Sequence, residues 1–224
     1  MLATLLFVLA PGVWTIDDNG PADFADLPEA VAAVSDGDIL RLMPGNYTGT
    51  TIDKNLTLIG IEGGFFEYVA INQPGLVVDG SLGGPSTLTL KDMNVFGLVL
   101  TGLSDRVRIE RANLFNVLVE DCPDVVFVGT GVAQSGFAPT ALTVHNSSLH
   151  LIGSGVIGSH DPNTYNGNPA LVLMDASEVH LSGSTIQGGN GVTHFIFNGI
   201  GGPAITVVAG TSNLVVRGSS TDVI

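Results

Sequence analysis

Positive charge is what this sequence has least of. Lys and Arg together number seven in 224 residues, against 21 Asp and Glu, giving a net charge of −14. Nucleic acids are held by clustered Lys and Arg that displace counterions from phosphates, so no nucleic-acid partner is expected here. An anionic membrane surface is disfavoured on the same ground, and bare acidic polysaccharides are awkward ligands unless a cation bridges the charges. Cysteine occurs once, as Cys122, which excludes an intrachain disulfide framework and a zinc site built on several thiolates. Its surroundings, VLVEDCPDVVF, read as a small residue at a turn between strands. Membrane-length apolar runs are also missing. Leu2 to Ala10 match a signal-peptide core in length and are too short to span a bilayer. No Lys or Arg precedes that stretch, and Pro11 follows it directly. Residues 1–13 are assigned as a signal peptide and 14–224 as a single domain, with a secreted or cell-surface location and no membrane span in the mature chain.

What is present is glycine, 30 residues, and a hydrophobic fraction of 45%. The aliphatic residues recur in alternating triplets: Leu88-Thr89-Leu90, Val107-Arg108-Ile109, Val125-Val126-Phe127, Leu149-His150-Leu151, Val179-His180-Leu181 and Leu214-Val215-Val216. After five of them, past a short turn, comes another aliphatic: Val95, Leu114, Val132, Val156 and Ile186. A further strand-like segment precedes later triplets, as GLVL at Gly97, VLVE at Val117, ALTV at Ala141, ALVL at Ala170 and AITV at Ala204. Period-two alternation marks short strands, and the gaps leave no room for crossover helices. A unit of roughly twenty to thirty residues with one apolar face cannot bury that face alone, but stacked units bury a continuous column. The pattern predicts an all-β chain folded as a parallel β-helix. An antiparallel sandwich would not need the same face in the same register unit after unit.

The segment before the triplets runs from Asp17-Asp18-Asn19-Gly20-Pro21-Ala22-Asp23-Phe24 into LPEAVAAVSDGDILRLMPGNYTGTTIDKNLTLIG. From Ile16 to Gly60 it resembles the opening of bacterial secreted right-handed parallel β-helix proteins of the pectin-lyase-like superfamily. Asp26, Pro28 and Glu29 suit a helix start. The helix that follows places Val31 and Val34 on one side, as a plug for the N-terminal end of the solenoid.

The resemblance implies enzymes whose motifs can be sought here. Pectate lyases of the superfamily use several Asp calcium ligands and an Arg or Lys base. Polygalacturonases pair aspartates with Gly-His-Gly and Arg-x-Lys segments. Pectin methylesterases carry a G-x-Y-x-E segment, and Gly49 stands where its acid belongs. Their acid before F-I-F-G is replaced by histidine in Thr193-His194-Phe195-Ile196-Phe197, and their Gln-Asp-Thr and Leu-Gly-Arg-Pro-Trp segments are missing. Arg106 and Arg108 lie near Asp105 and Glu110, and Lys91 and Asp92 align over Glu110 and Arg111, so the basic residues read first as ion-pair ladders. Asp17, Asp18, Asn19 and Asp23 offer hard oxygen donors, yet their spacing does not fit the twelve-residue calcium loop. No metal and no other cofactor is assigned, with Ca2+ the one ion left open.

Three loops leave equivalent corners of successive units: Ala133–Thr140, Gly158–Pro169 and Gln187–Pro203. Binding residues concentrate on such loops. Aromatic faces with interspersed Asn, Asp and His suit sugars, so the candidate ligand-binding set is Phe137, His160, Asp161, Asn163, Tyr165, Asn166, His194, Phe195 and Asn198. Three functions compete. The first is an exported β-helix that binds polysaccharide or a cell-surface glycan through these loops. The second is a polysaccharide lyase or glycoside hydrolase drawing on His160, Asp161, His194 or the Arg106/Arg108 region. The third is an adhesive surface solenoid. The end at Ile224 leaves a strand-rich coil with no terminal cap, so further coils or a covering chain are expected there. His150 and His180 fall in the middle of equivalent triplets and are expected to point outward, one above the other, without an acid partner.

Overall fold

The alternating triplets form one wall of a solenoid. In the computed structural model, which describes residues 10–63, 68–81, 84–136, 138–160, 166–190, 200–208, 211–217 and 222–223, Leu88, Val107, Val125, Leu149, Val179 and Leu214 share one parallel register. This wall, face A, is a nine-stranded sheet that starts with Val13–Ile16 and Ile39–Leu42 and ends with Asn213–Arg217. The aliphatics that follow the triplets build face B, where Val95, Leu114, Val132, Val156 and Ile186 are in register. The segments preceding the triplets form face C, through Leu98, Val117, Leu142, Leu171 and Ile205. All pairings among the named strands are parallel. The chain is a parallel β-helix with, among the described residues, one short helix, Leu27–Ala33.

Stacking explains the core. Leu90, Ile109, Phe127 and Leu151 from face A and Val95, Leu114, Val132 and Val156 from face B are at most 1% exposed. Burying an aliphatic side chain this fully stabilises the fold by about 1.5–3 kcal/mol. Ser147, Ser154, Ser177 and Ser184, which make the Gly/Ser turns of the sequence polar, are buried as well. The Ser154 and Ser184 hydroxyls accept the amides of Thr130 and Ser154, one coil back, at 3.1 Å. The same hydroxyls donate to Phe127 and Leu151 carbonyls, so these polar groups enter the core already satisfied. Cys122 belongs to a parallel column: its amide donates to Ser147 Oγ at 2.9 Å. Burial pushes its thiol pKa up, away from the thiolate form that reactive cysteines need.

The N-terminal motif is a set of clamps. The Asp26 carboxylate accepts amides from Leu27 at 2.8 Å and Thr48 at 2.9 Å, tying the helix start to the first coil. Lys54 donates to the carbonyls of Val31 and Val34 at 2.7 and 2.9 Å, placing a cation at the helix C-terminus. Leu27, Ala30, Val31 and Val34 are buried in the core cluster, as the plug requires. Asp17, Asp18 and Asp23 each accept a backbone amide, from Asn19, Asn46 and Thr15, so all three acids have turn and strand-tethering roles.

At the corner between faces C and A, Asp121, Asn146 and Asp175 adopt positive φ of 52°, 45° and 52°, a conformation that Asp and Asn tolerate better than other non-glycine residues. Beside them, His145 bridges Glu120 at 2.8 Å and Asp175 at 2.5 Å, spanning three coils. Hydrogen bonds to Glu120 and Asp175 raise the His145 pKa. A histidine whose pKa is raised on folding stabilises below its unfolded value and loses that contribution as pH climbs through the folded value. Wild type should therefore melt above His145→Gln at about pH 6 and coincide with it at about pH 9. Melting curves across that range check it, and a gap that persists unchanged at the alkaline end contradicts it.

Candidate functional site

The outward residues of face B form two columns. One runs Asn46, Ala70, Asn94, Asn113, Gly131, Gly155, with Ala70 covered at 1% exposed, and the other Phe96, Phe115, Ala133, Ile157. At strand spacings of about 4.8 Å, the five steps of the first column span roughly 24 Å along the solenoid. Above these columns lie three adjoining cavities of about 410, 200 and 400 Å³, all lined by Tyr68. The last two also share Asn94 and Asn113 and form an open trough, which the first adjoins at Tyr68.

Its walls follow from the sequence. Asn94-Val95-Phe96-Gly97 and Asn113-Leu114-Phe115-Asn116 are the same outward–inward–outward–corner unit on neighbouring coils. Gly97 and Asn116, at positive φ of 99° and 55°, each turn face B into face C in one residue. Phe96 and Phe115 therefore stack, with centroids 4.6 Å apart and planes within 4°. Asn113 Nδ2 donates to Asn94 Oδ1 at 2.8 Å. Further along, the floor drops to Gly131 and Gly155. A Cβ on Gly131 would come within 3.1 Å of Asn113 Oδ1, so glycine there keeps both the depth and the amide position. Tyr68 is 59% exposed and Ile157 51%, large apolar surfaces left open to solvent at the trough's edge.

Charge gathers toward the N-terminal half, where Asp17, Glu62, Asp92 and Arg111 line the cavities. Arg111 holds Asp92 in a two-pronged pair, 2.7 Å through Nε and 2.7 Å through Nη2, with Glu110 at 3.8 Å. Hydrogen bonding to Asp92 raises the guanidinium pKa further, so Arg111 is a fixed cation and no base. Lys91 reaches Glu110 at 3.7 Å, which bears out both expected ladder pairs. Arg108 also bonds Glu110. Arg106 pairs with Asp124 at 2.7 Å, one coil on, rather than with its neighbour Asp105.

The side loops do leave equivalent corners, beyond Ala133, Ile157 and Gln187 in register, next to the trough. Gln134 Oε1 accepts the Ser159 amide at 3.0 Å, and the Asn116 carboxamide accepts the Ser135 amide and donates to its carbonyl, which fixes the first loop. Of the nine candidate ligand residues, His160 bridges to Gly167 within its own loop. Asn166 Oδ1 accepts the Ile200 amide at 2.9 Å, joining the second loop to the third. Phe137, Asp161, Asn163, Tyr165, His194, Phe195 and Asn198 lie outside the described residues, as do residues 1–9 of the assigned signal peptide.

His150 and His180 stack outward on face A with centroids 4.4 Å apart and planes within 4°. The expectation that they lack an acid is corrected: Glu178 Oε1 stands 3.2 Å from His180 Nε2. Two residues apart on one strand, the pair shares the outer face. Burial, then the neighbouring His180, lowers the His150 pKa. Val126, beside His150 in the same column, is only 7% exposed and so belongs to the covered surface.

No family model and no curated protein matches the chain. Solved structures do. A pectate lyase aligns over 92% of this chain and 63% of its own, with 16% identity and a TM-score of 0.43. Pectin methylesterase from carrot aligns over 97% and 85%, with 10% identity and a TM-score of 0.37. A rhamnogalacturonan lyase aligns over 91% and 67%, with 13% identity and a TM-score of 0.32. The chain thus spans less than two thirds of the length of that pectate lyase.

The trough residues Tyr68, Asn94, Phe96, Asn113 and Phe115 escaped the reading of the sequence, which looked to the longest loops. The recurrence of Asn-x-Phe ahead of a corner residue was the available signal for four of them. Tyr68 carries none, because it precedes a strand outside the repeating triplets.

Proposed function

We propose that the chain is an exported polysaccharide-binding β-helix, with an extended glycan lying along the trough of face B. The observation that carries this is the stacked Phe96–Phe115 pair beside the Asn94–Asn113 amide ladder. Sugar rings present apolar CH faces that pack on aromatic rings, and hydroxyls at their edges that exchange hydrogen bonds with carboxamides. A column spanning roughly 24 Å suits a run of several sugar rings rather than a monosaccharide. The side loops leave next to the trough, beyond Ala133, Ile157 and Gln187, and their sequences offer further aromatic and amide residues, which a binding reading would draw on. Export is supported by the apolar Leu2–Ala10 stretch.

The test is calorimetric titration with soluble plant and algal oligosaccharides. Phe115→Ala should weaken binding about ten-fold, the ~1.4 kcal/mol typical of truncating an aromatic anchor, while His150→Ala on face A leaves it unchanged. Binding that ignores Phe115→Ala rules out the trough. A panel in which wild type binds no glycan rules out the function. Release of reducing or unsaturated ends in the same incubations would add turnover to binding.

A further inference from the structure

We propose that the trough selects uncharged glycan chains and turns away polyuronates because Asp92 neutralises Arg111. This rests on the reading of the trough as a glycan site and adds the chemical class it takes. A chain of uronic acids carries one carboxylate per ring, and binding it needs cations free to meet those groups. Among the described residues lining the trough, Arg111 is the one cation, beside Asp17, Glu62 and Asp92. Its Nε and Nη2 both face Asp92 at 2.7 Å. Glu110 stands at 3.8 Å on another side, shared with Lys91 and Arg108. The charged residues that line the cavities, three acids (Asp17, Glu62 and Asp92) against one Arg111, therefore leave a net negative field in the N-terminal half. The rest of the surface is amide, aromatic, glycine or aliphatic, which matches neutral rings, and the chain's −14 charge reinforces the repulsion at longer range.

Asp92→Asn tests this at one atom pair. Asp92 sits at φ 58°, and asparagine accepts that conformation as readily as aspartate, so the corner is retained while one negative charge leaves and the guanidinium loses its ionic partner. The full-length protein is titrated in chelator with a neutral hexasaccharide series (xylo-, cello- and manno-oligomers) and with hexagalacturonate. Wild type should bind a neutral oligomer about ten-fold more tightly than hexagalacturonate, a gap of ~1.4 kcal/mol. In Asp92→Asn the affinity for hexagalacturonate should rise about five-fold, the order expected for one unit charge a few ångströms away in water, and fade with added salt. The readout is the ratio of hexagalacturonate to neutral-oligomer affinity, which should rise by that factor. Hexagalacturonate that binds only once calcium is supplied also upholds the proposal, because the ion delivers the missing positive charge. Hexagalacturonate that binds wild type in chelator as tightly as any neutral oligomer overturns the selectivity and leaves the trough as a glycan site. So does an Asp92→Asn variant that melts cooperatively yet gains nothing. If no oligomer of either kind binds, the glycan reading itself fails and this inference falls with it.

Discussion

Truncating Phe127 to alanine should destabilise the fold by about 3–5 kcal/mol. Phe127 is fully buried and is among the largest side chains in the core. It lies between Ile109 on the coil before and Leu151 on the coil after. In a globular core, neighbours from several directions can relax into a vacated space. In a solenoid, the coil positions are set by ladder hydrogen bonds on both sides, so the cavity stays open and its lining loses its contacts. Phe127→Leu should cost far less, about 1–1.5 kcal/mol, because most of the volume is kept. Urea unfolding of the two variants measures both. A loss below about 1 kcal/mol for the alanine variant would mean that the coils close up, contrary to a rigid stack.

Asp38→Ala should cost about 3 kcal/mol through lost charge-assisted hydrogen bonds and stranded donors. Asp38 is 6% exposed, and its carboxylate accepts from the Gly12 amide at 2.6 Å, Trp14 Nε1 at 2.9 Å and the Ser35 amide at 2.9 Å. One side chain thus joins the first strand, the indole and the turn after the helix. Burial by itself would raise the Asp38 pKa. The hydrogen bonds from Ser35, Trp14 and Gly12, with the charge of Lys54, outweigh it and hold the carboxyl below its usual range. A carboxylate whose pKa is depressed on folding stabilises above its unfolded value and loses that contribution as pH falls through the folded one. Wild type should therefore lose stability on acidification more steeply than Asp38→Ala, the reverse of the His145 dependence. Trp14 is the chain's only tryptophan, so its fluorescence reports the same contact. An emission spectrum unchanged by Asp38→Ala would show that the indole does not depend on this bond.

The register of the solenoid was readable residue by residue. Leu149, Leu151, Val179 and Leu181 face inward, while His150 and His180 stack outside, because a strand alternates its faces with period two and the same alternation returns on each coil. The Lys91–Glu110 and Asp92–Arg111 ladders followed from that register alone. The partner of His180 is not a triplet centre but Glu178, two residues away, because period two puts the flanking position on the same outer face. Arg106 was referred to its chain neighbour Asp105, whereas Asp124 on the next coil meets it.

The sequence by itself determined the coil architecture: strand period, repeat spacing, the helix plug and the outward columns are local properties that stacking only repeats. Tertiary structure decided where an open binding surface lies. The trough exists because coil stacking pairs Phe96 with Phe115 across nineteen residues of chain, because glycine at two further positions lowers the floor, and because Tyr68 arrives from outside the repeats. Each is a relation between residues on different coils, set by how far the chain travels at each corner, and no periodicity along one strand encodes that distance.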